Sequence, residues 1–214
     1  MSRKLIGLSL VPQGKLPSAC TGCRFWEHET PLPRRCGAAC DPEAAARSVH
    51  DIVAEWGECG RAAVDEGEAL GFIKYGPPRY FPQARFMPSG PPDPDVALIT
   101  CMHIDPDARG KGLGGVLMRA ALKDLAQRGE RTVQMYADAT EGAADDRPIV
   151  GVAFAVRHGF VVARPHPEVP LMRLDLKSLV SWTENLESVL ESLRLPLRVP
   201  DRAPVTLSAP REDV

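Results

Sequence analysis

The chain lacks any apolar run of the roughly 20 residues that a membrane-spanning helix needs, and its N-terminus lacks a signal-peptide apolar core. Leu5 to Val11 is apolar but short, and reads as a first strand. There is no basic excess either: 26 Lys and Arg against 28 Asp and Glu leave a net charge of −2, which argues against a dedicated nucleic-acid binder. No internal repeat divides the 214 residues. One cytoplasmic domain without membrane or nucleic-acid partners is therefore expected, its 44% hydrophobic content sufficient for one core and its six cysteines mostly reduced. A P-loop is missing too, because Lys111 precedes the last glycines of its loop and no Ser or Thr follows.

That loop is the most informative feature present. Ile104-Asp-Pro-Asp-Ala-Arg-Gly-Lys-Gly-Leu-Gly-Gly115 reads as a strand end, a glycine loop and a helix start. Val96 to Ile104 is apolar and suits a buried strand, which Pro106 and Asp107 stop. From Leu113 to Arg128, Leu113, Val116, Leu117, Ala120, Ala121 and Leu125 take one helical face. Arg119, Lys123, Asp124 and Gln127 take the other, and Gly129 ends the helix. A helix start leaves backbone N–H groups unpaired and partly positive, and glycines let an anion approach them. Arg109 and Lys111 add full charges, so a pyrophosphate is the natural ligand.

Two nucleotide-binding patterns fit. Gly110, Gly112 and Gly115 satisfy the G-x-G-x-x-G of an NAD-binding Rossmann unit, with Asp138 as its acidic partner. The mid-chain position, and a β-hairpin before it rather than a βαβ series, weigh against that. Arg109-Gly-Lys-Gly-Leu-Gly114 instead resembles the R/Q-x-x-G-x-G/A signature of the GNAT superfamily of acyl-CoA-dependent N-acyltransferases. Ile104-Asp-Pro resembles the V-x-P that leads into it, and Val152 to Phe160 resembles the short helix and G-F turn before the last strands. The resemblance spans roughly Gly60 to Leu176.

This resemblance implies an α/β (α+β) fold with a mixed sheet whose two central parallel strands splay around a pantetheine arm. It implies acetyl-CoA as cosubstrate, with backbone groups of Met102, His103 and Ile104 on the pantetheine. Arg109, Gly110, Lys111, Gly112, Leu113, Gly114 and Gly115 would hold the pyrophosphate. The reaction implied is direct attack of an amine on the thioester in a ternary complex. The family places a tyrosine four residues before the G-F glycine, and Ala155 stands there, which keeps a catalytically silent CoA-binding regulator as the rival reading. Tyr136 is a replacement acid and His158 a second; His103, on the same strand face as Cys101, is a candidate base. Core packing is the alternative for each.

Asp138, Glu141, Asp145 and Asp146 would attract a cationic amine. The arginines and aromatics of residues 79–87 would instead make a lid for an anionic or aromatic acceptor. The fold does not name the amine, and a homodimer is compatible with it.

Elsewhere, Asp41 and Pro42 open a helix through Trp56 with Ala45, Val49, Ile52, Val53 and Trp56 inward. Arg61–Val64 and Ala69–Tyr75 form a hairpin. The proline-rich stretch from Gly76 to Pro94 is either disordered or a functional cover. A strand Thr132–Ala137, a helix Ile149–His158 and strands Phe160–Ala163 and Leu171–Leu176 complete the catalytic domain, residues 1–177. A C-terminal helix over 178–195, with Ser181 and Glu184 as a capping box, and a mobile tail over 196–214 follow.

The cysteine-rich segment is 12–60. Cys20, Cys23, Cys36 and Cys40 have the C-x2-C-x12-C-x3-C spacing of a tetrahedral structural zinc site, with Cys59 as an alternative ligand. Scattered reduced thiols or a redox pair are the other readings. Cys20-x-x-Cys-x-Phe-Trp26 and Trp56-Gly-x-Cys-Gly60 are similar to elements of a GNAT subgroup from Gram-positive bacteria, which keeps Cys20, Cys23 and Cys59 more dependably than the second pair.

Overall fold

Asp41 caps the first helix, α1 (Pro42–Trp56), by accepting the Ala44 N–H at 2.9 Å, and Gly57 ends it at φ 98°. Both ends stand where the sequence put them. The computed structural model describes residues 3–140 and 148–177, all within Met1–Val180, the first of two units into which the chain divides. The expected helix over 178–195, its capping box and the tail lie outside the described residues, as do Glu141, Asp145 and Asp146. No helix among the described residues is long and apolar enough to cross a membrane.

The strands are β1 (Lys4–Gly7), β2 (Gly60–Asp65), β3 (Glu68–Gly76), β4 (Ala97–Ile104), β5 (Thr132–Asp138), β6 (Val150–Gly151), β7 (Val161–Arg164) and β8 (Leu171–Asp175). The other helices are α2 (Leu113–Gln127) and α3 (Val152–Arg157). They form one mixed sheet in the order β1-β2-β3-β4-β5-β8-β7, with β6 beside β5. The first strand is shorter than Leu5–Val11 suggested, because the chain turns into a 3-10 helix at Leu8.

The pair β4–β5 is parallel and touches only at Ala97–Val133, Leu98–Gln134 and Ile99–Met135. Beyond Ile99 and Met135 the ladder stops, although β4 runs to Ile104 and β5 to Asp138. The central parallel strands therefore splay, as the fold class required. A bulge accompanies the split. Ile73 faces Met102 and Tyr75 faces Ile99, so Thr100 and Cys101 together oppose Lys74.

Helix α2 covers one sheet face. Leu117, Met118, Ala121 and Leu125 are fully buried there with Ile73, Ile99, Val133 and Met135. The periodicity found this stripe but misjudged its edge, since Val116 is 41% exposed while Met118 and Leu122 face inward. The opposite face is covered differently. Phe25, Trp26, Ile52, Phe81, Leu98 and Tyr136 form a second core there, drawn largely from irregular chain.

That irregular chain is ordered by hydrogen bonds. Residues 77–90 form 3-10 turns at Pro78–Tyr80 and Pro82–Phe86, and Phe81, Ala84 and Met87 are buried. Gln83 is buried at its centre. Its side-chain amide donates to the Phe25 and Thr30 carbonyls and accepts the Leu32 N–H. Its backbone N–H bonds the Trp26 carbonyl at 3.2 Å. The proline-rich stretch is thus a fitted cover over the sheet.

Candidate functional site

At the splay, β4 ends in a 3-10 turn, Pro106–Ala108, and the glycine loop delivers the chain to α2. Gly110 (φ 73°) and Gly112 (φ 76°) lie in the left-handed region, with open space where a side chain would stand. Gly112 is the N-cap of α2, and no side chain among the described residues caps that helix. The first-turn N–H groups thus lack the usual carboxylate or hydroxyl partner. Gly114 serves close approach instead: a Cβ there would lie 3.2 Å from both Ile104 Cδ1 and Phe154 Cε2. Arg109 Nε donates to the Ile104 carbonyl at 3.1 Å, tying the loop to the end of β4, and Lys111 Nζ bonds the Asp107 carbonyl. His158 stands close by, its ring 4.3 Å from that of Phe154 and its Nδ1 2.9 Å from the Phe154 carbonyl.

On the covered face, a cavity of about 40 Å³ opens against the bulged half of β4. Met102 and His103 of β4, Lys74 of β3, Val49 of α1, and Trp26 and Glu27 of the cysteine-rich segment line it. The bulge leaves Cys101 and His103 on this lining while Met102 and Ile104 also meet the α2 core. Lys74 and Glu27 form an ion pair whose side chains are only 10% and 8% exposed. Burial is the largest influence and works to lower the Lys74 pKa, but the Glu27 carboxylate together with Cys101 and Cys59 turns the net shift upward.

Tyr136 is buried on the same face, stacked on Trp26 with ring centroids 6.1 Å apart. Its hydroxyl lies 3.0 Å from the Ala84 carbonyl and 2.7 Å from that of Gly90, both in the cover. Burial raises its pKa. Ala155 is fully buried on α3. Asp138 is buried and accepts from the Thr140 N–H and hydroxyl, at 2.9 and 2.6 Å.

The cysteines do not assemble as a four-thiolate metal site. Among the described residues, no group of three or more His, Cys, Asp or Glu is placed to hold a metal. Cys20 packs with Leu8, Val11 and Phe72, and Cys59 is fully buried near Phe25 and Trp26. Cys40 is exposed and donates to the Gly37 carbonyl. Cys23 pairs through its backbone with Cys40 and through its thiol with Cys36, and that thiol contact leads burial in raising its pKa. Cys20, Cys23, Cys36 and Cys101 all border the cavity. Sequence reasoning missed Glu27 and Lys74. Neither belongs to a motif, and they meet only because the cysteine-rich segment folds back across β3.

The model of the Acetyltransferase (GNAT) family matches residues 24–160. The match begins inside the cysteine-rich segment, well before the Gly60 at which the resemblance was first placed, and ends at Phe160. No curated protein matches the sequence. A GNAT-family protein from Desulfovibrio desulfuricans superposes with a TM-score of 0.51 at 16% identity, over 82% of this chain and 99% of that one. An N-acetyltransferase from Staphylococcus aureus Mu50 does so with a TM-score of 0.51 at 14% identity, again over 82% and 99%. At such identities the likeness is one of fold.

Proposed function

The chain belongs to the GNAT acetyltransferase family, and we propose that it transfers the acetyl group of acetyl-CoA to an amine within a ternary complex. The observation that carries this reading is the uncapped, glycine-built start of α2 at the foot of the β4–β5 splay. Backbone N–H groups from Gly112 onward, with the charges of Arg109 and Lys111, suit a pyrophosphate. The stretch of β4 from Met102 to Ile104, which has parted from β5, suits the amides of a pantetheine arm, as an added strand would. The chain residues then have two tasks: to take a proton from the incoming ammonium, and to supply one to the departing thiolate.

We place His103, on the cavity lining, at the thiolate end, because an imidazole can donate a proton at neutral pH. The Tyr136 hydroxyl is already engaged by the Ala84 and Gly90 carbonyls, so in this reading it fastens the cover to β5. The silent-regulator and NAD readings are not favoured: the family match and the splayed strands both point to acyl transfer.

The test is calorimetric titration with acetyl-CoA, with NAD as control. One-to-one binding of acetyl-CoA alone is expected. Gly112→Val, which forces a β-branched side chain into the left-handed region, should weaken binding by on the order of 100-fold, or about 2.7 kcal/mol. Unchanged affinity in that variant, or binding of NAD instead, would sink the loop assignment.

A further inference from the structure

The small cavity beside β4 holds a charged pair that the acetyl-CoA site does not use. Lys74 is buried and its partner Glu27 sits in a segment with no regular structure, yet both face the same lining as His103 and Cys101. Burying such a pair for stability alone brings little, because desolvation offsets the attraction. Trp26, also on the lining and 2% exposed, keeps its indole N–H buried with no hydrogen-bond partner among the described residues. An unpartnered buried donor is costly in an empty protein and becomes satisfied when a ligand brings an acceptor. Beside the charged pair, the wall combines apolar surface from Leu8, Leu16, Phe25 and Phe72 with the polar side chains of Gln13 and His103 and several cysteine thiols.

We propose that this cavity receives the amino end of a primary amine carried on a slim apolar arm, with Glu27 as the base that takes its proton and Lys74 as the residue that positions Glu27. The inference rests on the acetyl-transfer reading above. Its volume of about 40 Å³ admits little more than the reacting end of such an acceptor. The arriving ammonium gives one proton to the Glu27 carboxylate and becomes a neutral nucleophile. Its nitrogen bonds the thioester carbonyl carbon, the carbon–sulfur bond breaks, and the second nitrogen proton is lost as the thiolate is protonated. Overall an ammonium and a thioester give an amide, a thiol and one released proton. The other titratable groups around Glu27 are Lys74, Cys59 and Cys101, which interact with it electrostatically, and Cys23, Cys36 and His103 on the shared lining.

Two acceptor probes separate a base from a merely structural residue: n-butylamine, protonated at neutral pH, and trifluoroethylamine, already largely neutral there. Turnover is followed by chromatographic detection of CoA, and acetyl-CoA binding is measured alongside. Glu27→Gln should lower kcat for n-butylamine by on the order of 100-fold while leaving trifluoroethylamine turnover and acetyl-CoA affinity near wild type. Lys74→Met should lower n-butylamine turnover less and shift its pH profile, since the carboxylate loses its partner. Should either single variant fold poorly, the double variant Glu27→Gln/Lys74→Met removes both charges together, and it should fold and keep the same selectivity for the neutral amine. Equal loss of both amines, or no loss of either, would overturn the role of Glu27. Acetyl-CoA binding without wild-type turnover of n-butylamine would overturn the assignment of the cavity to primary amines. Failure of acetyl-CoA to bind would instead strike the acetyl-transfer reading itself.

Discussion

The two faces of the sheet are covered by opposite means. One face carries α2, a single helix whose Leu117, Ala121 and Leu125 repeat at helical spacing and pack on β3, β4 and β5. The other is covered by α1 and by two irregular segments, residues 8–40 and 77–90, that lock together through Gln83. The helical face presents an open glycine loop suited to a ligand common to the family. The irregular face encloses a small cavity lined by side chains of the cysteine-rich segment, α1, β3 and β4. A regular element carries the surface proposed for the cosubstrate, and irregular chain carries the one proposed for the acceptor.

The sharpest way to break this contrast is a cut into the helical face. Leu117→Ala removes a fully buried side chain, and should cost about 2–5 kcal/mol in denaturant unfolding as one cooperative loss. A shift below about 0.5 kcal/mol would mean that α2 is not the keystone of that core.

Alkaline titration addresses the irregular face, where the buried thiols lie. Burial pushes the Cys59 pKa from 9.0 to about 11, and Cys101 is raised by the same cause. A thiol whose folded pKa is raised contributes stability that is whole below pH 9.0 and is lost as pH climbs toward about 11. Cys59 alone should account for about 3 kcal/mol of that loss. Cys59→Ala should flatten the decline, and an unchanged alkaline limb would show that other groups control it.

The smallest expected effect is the most selective. Gln83→Ala strands the carbonyls of Phe25 and Thr30, at a cost of about 1–3 kcal/mol. Amide exchange should quicken across residues 25–32 while the α2 amides stay protected. Uniform acceleration over both faces would erase the distinction drawn between them.

Much of the helical face was legible beforehand. The strand Ala97–Ile104, the glycine loop and α2 were read nearly residue for residue, because each follows from a period or a backbone requirement carried locally. The hairpin and the ends of α1 were legible for the same reason. The irregular face was not. Residues 76–94 offered only prolines and scattered aromatics, and nothing local tells that Gln83 would bond three residues some fifty positions away. The cysteine spacing could not tell whether the two pairs converge, because that depends on how the intervening chain folds; Cys20 lies in an apolar cluster, and no metal-holding group of three or more His, Cys, Asp or Glu occurs among the described residues.

By itself the sequence determined the periodic elements, their order and the glycine loop, since these depend on contacts within a few residues. The tertiary structure alone decided the bulge at Thr100 and Cys101, the extent of the β4–β5 splay and the meeting of Glu27 with Lys74. Each joins segments remote in the chain, and burial of shared surface selects such pairings only once the whole fold closes.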